Sequence, residues 1–74
     1  MRIAVFGLGY VGTVTAAGLA SQGHEVWGVD IDETKVNLIR SGASPVVEPG
    51  IVELIAAGVA SGALQATTHA AEAL

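Results

Sequence analysis

The 74-residue chain contains no cysteine. That absence excludes a disulfide framework, a thiolate metal cage and a cysteine nucleophile. Basic residues are nearly as scarce, with Arg2, Lys35 and Arg40 set against seven acidic side chains for a formal net charge of −4. Such a balance offers no attractive field to nucleic acid or to an anionic membrane. The two histidines, His24 and His69, are isolated, and neither has the partner that acid–base work requires. No uninterrupted apolar run reaches the ~18 residues of a membrane span. Phe6, Tyr10 and Trp27 are the only aromatic residues; Trp27 reads as core, and only its place among glycines lifts Tyr10 above the same reading. A domain this small buries only about 60% of the surface its unfolded form exposes, so its core is thin.

What the chain does have is glycine in a telling place. The stretch "AVFGLGYVGTVTAAGLA" sets Gly7, Gly9 and Gly12 just after a short apolar run and just before a run of small residues at helical spacing. Arg2, the apolar run and "GLASQG" together have the outline of a secretory leader. One basic residue makes a weak leader head, however, and a leader has no use for glycines at this spacing. The chain reads as soluble and cytoplasmic.

"RIAVFG" suits a strand buried on both faces. From Val11 onward Val14, Gly18, Leu19 and Gln22 keep helical spacing, and Gly23 supplies a stop. "HEVWGVD" reads as a second strand, placing His24 at a surface turn. Asp32 caps a second helix, "ETKVNLIRSG", in which Val36 and Ile39 share a face and Gly42 ends the run. "ASPVVEPG" is a rigid loop, because Pro45 and Pro49 restrict Ser44 and Glu48 to extended backbone. Its turn chemistry accounts for Glu48 most simply, although a stiff loop that holds a carboxylate can line a site. Pro49 then fits the first turn of a third helix with Ile51, Leu54, Ile55 and Gly58 on one face. "ALQATT" is a third strand, after which Thr68 caps the start of a further helix. The order β-α-β-α-α-β with short connections predicts an α/β fold, the first half of a Rossmann-type doubly wound parallel sheet.

Each loop glycine has its own mechanical task in such a fold. The first permits a tight turn out of the strand, the second lets the backbone approach a pyrophosphate, and the third lets helix and strand pack closely. Amides at the helix N-terminus then face the phosphates. Asp30 stands about 20 residues further on, at the end of the second strand, where a carboxylate accepts bonds from the adenosine ribose hydroxyls. A 2′-phosphate there meets like charge with no adjacent arginine, so the pattern predicts NAD over NADP. Lys35, at the start of the second helix, is within reach of a ribose or phosphate, although a lone helical lysine is ordinarily solvated.

At "GLGYVG", "GHEVWGVDIDETKV" and "SPVVEPGI" the chain resembles the opening of the nucleotide-sugar 6-dehydrogenases, the UDP-glucose and GDP-mannose dehydrogenase family. The likeness runs almost the whole length. It implies an NAD-binding segment with cofactor contacts from Gly7, Gly9, Tyr10, Val11, Gly12, Asp30 and Lys35. It also implies a parent enzyme that oxidises a sugar C6 alcohol to a carboxylate with two NAD. "SPVVEPG" lacks the tyrosine that UDP-glucose enzymes often carry before EPG, and so leans toward the GDP-mannose branch. His69 departs from the acidic residue common in relatives after the paired threonines.

The chemistry implied by that resemblance needs a cysteine, which this chain lacks, so it contains no catalytic residue and no metal ligand set. The expectation is a partial NAD-binding domain over residues 1–74, with the sugar-nucleotide site and catalytic groups downstream. A free-standing half-fold that binds a dinucleotide without chemistry is the alternative. In either case the first strand has a free edge, open to a second copy of the chain.

Overall fold

The computed structural model describes residues 1–74. Seven elements follow one another: β1 (Arg2–Phe6), α1 (Tyr10–Ser21), β2 (Glu25–Val29), α2 (Glu33–Arg40), α3 (Ile51–Ser61), β3 (Leu64–Thr67) and α4 (Ala70–Ala73). The strands form one parallel sheet in the order β1-β2-β3. Parallel pairing between consecutive strands requires crossovers, and α1 and the α2–α3 pair provide them.

Register decides which side chains share a face. Ile3, Val26 and Leu64 are aligned across the sheet, as are Val5, Gly28 and Ala66. This face meets α1, α2 and α3, and here the core forms from Leu8, Ala16, Ala17, Val26, Val36, Ile39, Ile51, Ile55 and Leu64. The opposite face carries Ala4, Trp27 and Gln65 in one row and Phe6, Val29 and Thr67 in the next. Trp27 is therefore not a core residue. It is half-buried, with the Arg2 guanidinium 5.6 Å from its ring centroid and its indole N–H donated to Glu25 at 3.1 Å. β1 is likewise only partly buried.

The helices also correct the sequence reading in places. α1 buries Thr13, Ala16, Ala17 and Ala20 rather than the larger Val14 and Leu19, which are half-buried, while Gln22 is exposed. Small side chains let this helix lie close to the sheet and to α3, where Gly58 faces Ala20. α2 is capped as expected: Asp32 Oδ1 accepts from the amides of Thr34 at 2.9 Å and Lys35 at 3.4 Å. Pro49 lies outside α3. Gly50 has φ +80° and ψ −7°, and the Ile51 amide donates to the Glu48 carbonyl at 3.1 Å. With proline unable to adopt positive φ, Glu48–Pro49–Gly50–Ile51 is a type II turn, and the helix begins after it. Leu54 is 40% exposed and does not join Ile51, Ile55 and Gly58 in the core.

Thr68 does not cap α4. The Thr67 hydroxyl accepts from the His69 amide at 3.0 Å and donates to Glu72, while His69 occupies the cap position. β1 and β3 are the sheet edges. Part of the β3 edge is covered, because Arg40 Nε donates to the Ala66 carbonyl at 2.8 Å. No helix is long and apolar enough to cross a membrane.

Candidate functional site

The loop from β1 into α1 is built from both ends. Gly7 takes φ +93°, a left-handed conformation that glycine tolerates, and its amide reaches across to the Val29 carbonyl at 2.8 Å. Leu8 turns inward and is fully buried. Its methyls occupy the space beside Gly28, where an added Cβ would lie 2.8 Å from Leu8 Cδ2. The buried Thr13 hydroxyl donates to the Leu8 carbonyl at 3.1 Å and ties the loop to the second turn of α1. Gly12 permits the tightest approach in the chain: a Cβ there would stand 1.8 Å from the Gly7 carbonyl oxygen.

Around Gly9 the chain is open, with no atom within 4 Å of an added Cβ. Gly9 precedes α1 without a side-chain cap, and the first helical bond runs from the Thr13 amide to the Gly9 carbonyl at 3.0 Å. The amides of Gly9, Tyr10, Val11 and Gly12 donate to no atom of the chain. Four unsatisfied donors at the positive end of a helix make an anion cradle.

Asp30 stands beside that cradle at the end of β2. Its Oδ2 accepts the Leu8 amide at 2.7 Å and its Oδ1 accepts the Asp32 amide at 2.9 Å. These bonds, the Leu8 one foremost, hold its carboxyl below the usual carboxylate range. The Lys35 charge and the Ile31 amide act in the same direction, and partial burial opposes them. Each oxygen keeps a further lone pair for a ligand hydroxyl. Next to Asp30, Phe6, Gly7, Val29 and Ile31 frame an apolar hollow of about 250 Å³. A larger hollow, about 370 Å³ and lined by Trp27, Arg40, Gln65 and Glu72 among others, shares no residue with the glycine loop.

Of the sequence-predicted site residues, Gly7, Gly9, Tyr10, Val11 and Gly12 form one continuous rim, and Asp30 is bonded to it through Leu8. Val11 is 74% exposed at the helix start. Lys35 acts on Asp30 through its charge rather than through a direct ion pair. The Tyr10 hydroxyl donates to Glu48 across 38 residues of sequence. Leu8, Thr13 and Gly28 escaped the sequence reading, yet they set the loop's position. The signal available for Leu8 was its large apolar side chain set directly between two glycines. The assembled groups are suited to binding, with amide donors for an anion, a carboxylate for a diol and an apolar hollow for a flat ring. No three His, Cys, Asp or Glu side chains gather as a metal site.

Residues 1–74 match the model of the UDP-glucose/GDP-mannose dehydrogenase family, NAD binding domain. A GDP-mannose 6-dehydrogenase of Pseudomonas syringae pv. syringae is 57% identical over 74 residues, which is 100% of this chain and 17% of that protein. Among solved structures, a ternary complex of GDP-mannose dehydrogenase from Pseudomonas aeruginosa superposes with a TM-score of 0.96 at 52% identity, over 99% of this chain and 17% of that one. The UDP-glucose dehydrogenase of Pyrobaculum islandicum gives 0.89 at 41% identity, over 96% and 16%. The chain thus spans about one-sixth of the length of such relatives. By fold, glycine loop and sequence alike, the chain belongs to the UDP-glucose/GDP-mannose dehydrogenase family, in its NAD binding domain.

Proposed function

We propose that residues 1–74 are the first half of the NAD-binding domain of a nucleotide-sugar 6-dehydrogenase that oxidises the C6 alcohol of a sugar nucleotide, GDP-mannose in the first instance, to a carboxylate. The observation that carries this reading is the bonded pair of Asp30 and the glycine loop. One carboxylate accepts the Leu8 amide and lies beside four unpartnered amides. These residues fit a dinucleotide. The Gly9–Gly12 amides hold its pyrophosphate, with Gly9 leaving room for close approach. Asp30 accepts the adenosine ribose hydroxyls, Lys35 adds positive charge beside them, and the hollow between Phe6, Val29 and Ile31 takes an apolar ring face. NAD, once held there, supplies hydride-accepting chemistry to a substrate site contributed by chain beyond residue 74. The reaction belongs in the cytoplasm, where such cofactors and sugar nucleotides are available, and it would feed polysaccharide synthesis. The free edge of β1 offers a pairing surface for chain beyond residue 74 or for a second copy.

Calorimetric titration with NAD and NADP in parallel tests the site. NAD binding in preference to NADP, weakened in Asp30→Ala, is the expected result. Equal binding of the two, unaffected by Asp30→Ala, overturns the assignment of Asp30 to the ribose.

A further inference from the structure

Glu48 is the one residue outside the glycine loop, apart from Asp30, whose side chain bonds to the loop segment from a distant part of the chain. Its carboxylate accepts the Tyr10 hydroxyl, and Tyr10 is the first residue of α1. Three features of the Glu48 backbone show that this contact is prepared rather than incidental. Pro49 restricts Glu48 to extended conformation. The left-handed Gly50, at φ +80°, closes a type II turn behind it. The Ile51 amide locks that turn onto the Glu48 carbonyl at 3.1 Å. α3 leads into the parallel strand β3, so its N-terminus lies at the same carboxyl edge of the sheet as the N-terminus of α1. The EPG turn therefore presents a carboxylate from the start of one helix to the tyrosine at the start of the other.

Tyr10 needs such an anchor. It is 52% exposed, and its backbone amide is one of the four unpartnered donors. A free tyrosine side chain at that position can swing over the neighbouring amides and shield them from an anion.

We propose that Glu48 is a positioning residue of the dinucleotide site, holding the Tyr10 ring away from the Gly9–Gly12 amides so that they stay open to the pyrophosphate. This rests on the dinucleotide reading above. The bond also raises the ionisation point of the Tyr10 phenol, since the Glu48 carboxylate accepts its proton as a hydrogen bond and partial desolvation and like charge add to the effect. Tyr10 is the only tyrosine of the chain, so its ionisation can be followed without interference from another.

The test combines phenolate absorbance across the alkaline range with NAD titration for the wild type, Glu48→Ala, Glu48→Gln, Tyr10→Phe and the double variant Tyr10→Phe/Glu48→Ala. Glu48→Ala is expected to lower the tyrosine ionisation midpoint and to weaken NAD binding about tenfold, the effect of losing one hydrogen bond to a charged group. Glu48→Gln, whose amide oxygen still accepts the hydroxyl, is expected to bind NAD at least as tightly as the wild type. Tyr10→Phe should match Glu48→Ala, and the double variant should be no worse than either, because both remove the same contact. Wild-type affinity in Glu48→Ala, or strictly additive losses in the double variant, overturns the positioning role while leaving the dinucleotide reading in place. A wild type that binds no NAD overturns both for this chain, and the phenol titration then separately reports whether the Tyr10–Glu48 bond exists.

Discussion

Leu8 and Asp30, 22 residues apart, are joined by a hydrogen bond of 2.7 Å from the leucine amide to the aspartate carboxylate. The group assigned to the ribose thus also holds the phosphate loop. Asp30→Ala should therefore do more than reduce affinity. It strands the Leu8 amide and is expected to cost about 1–3 kcal/mol of stability, read as a lower urea midpoint. A variant with wild-type stability would show that the bond adds nothing to the fold.

Acid should expose the same bond. The folded chain keeps the Asp30 carboxyl below its ordinary value, chiefly through the Leu8 amide and then the Asp32 amide. The unfolded chain therefore takes up the proton first as pH falls. Asp30's contribution is whole above about pH 5, where an unperturbed aspartate is largely ionised, and is lost as pH drops through the lowered native value. Urea midpoints measured across this range should fall more gently in Asp30→Asn than in the wild type. Parallel slopes would contradict the assignment.

Two of the loop glycines, Gly12 and Gly9, should separate by mechanism. A Cβ at Gly12 collides with the Gly7 carbonyl at 1.8 Å, so Gly12→Ala is expected to destabilise the fold by more than about 2 kcal/mol. A Cβ at Gly9 meets nothing within 4 Å, so Gly9→Ala should stay within about 1 kcal/mol of wild-type stability. It should nonetheless lose NAD affinity by at least about tenfold, because the methyl stands where the pyrophosphate must approach. Thermal melts and calorimetry on the same samples distinguish the two. Equal loss of stability in both variants would remove the case for Gly9 as a ligand glycine.

Gly28 should behave as a packing glycine acting on the site from below. Gly28→Ala brings a methyl to 2.8 Å from the Leu8 side chain, which is fully buried and has little room to yield. Overpacking of about 1–3 kcal/mol is expected, with a weaker NAD site because Leu8 carries the amide bonded to Asp30. Retained affinity in a destabilised variant would show that the loop moves independently of Leu8.

Much of this is legible in the sequence. The glycine spacing, the distance to Asp30, the Asp32 cap and the stops at Gly23 and Gly42 each have a local cause that operates without knowledge of the partner elements. What was not legible depends on contacts distant in sequence. Val14 and Leu19 look like the buried face of α1 because they are large, yet the interior is so closely spaced that Thr13, Ala16, Ala17 and Ala20 fill it. Trp27 alternates onto the face that these helices do not cover, which its size conceals. Pro49 is a good first residue for a helix, but the following Gly50 takes the left-handed conformation and claims it for a turn. Thr67 rather than Thr68 secures the last helix, because only the former points at the His69 amide. The bond between Tyr10 and Glu48 spans two helix starts that only the folded sheet brings together.

The seam of small residues between α1 and α3 sets a limit on what the interior accepts. At Gly58 an added Cβ would sit 3.0 Å from the Leu64 Cβ and 3.5 Å from the Ala20 Cβ. The second distance is ordinary contact, and the first is not. Bulk added to this seam is therefore felt by β3 before it is felt by the helix that carries the glycine loop, so the sheet and not the helix rations the space.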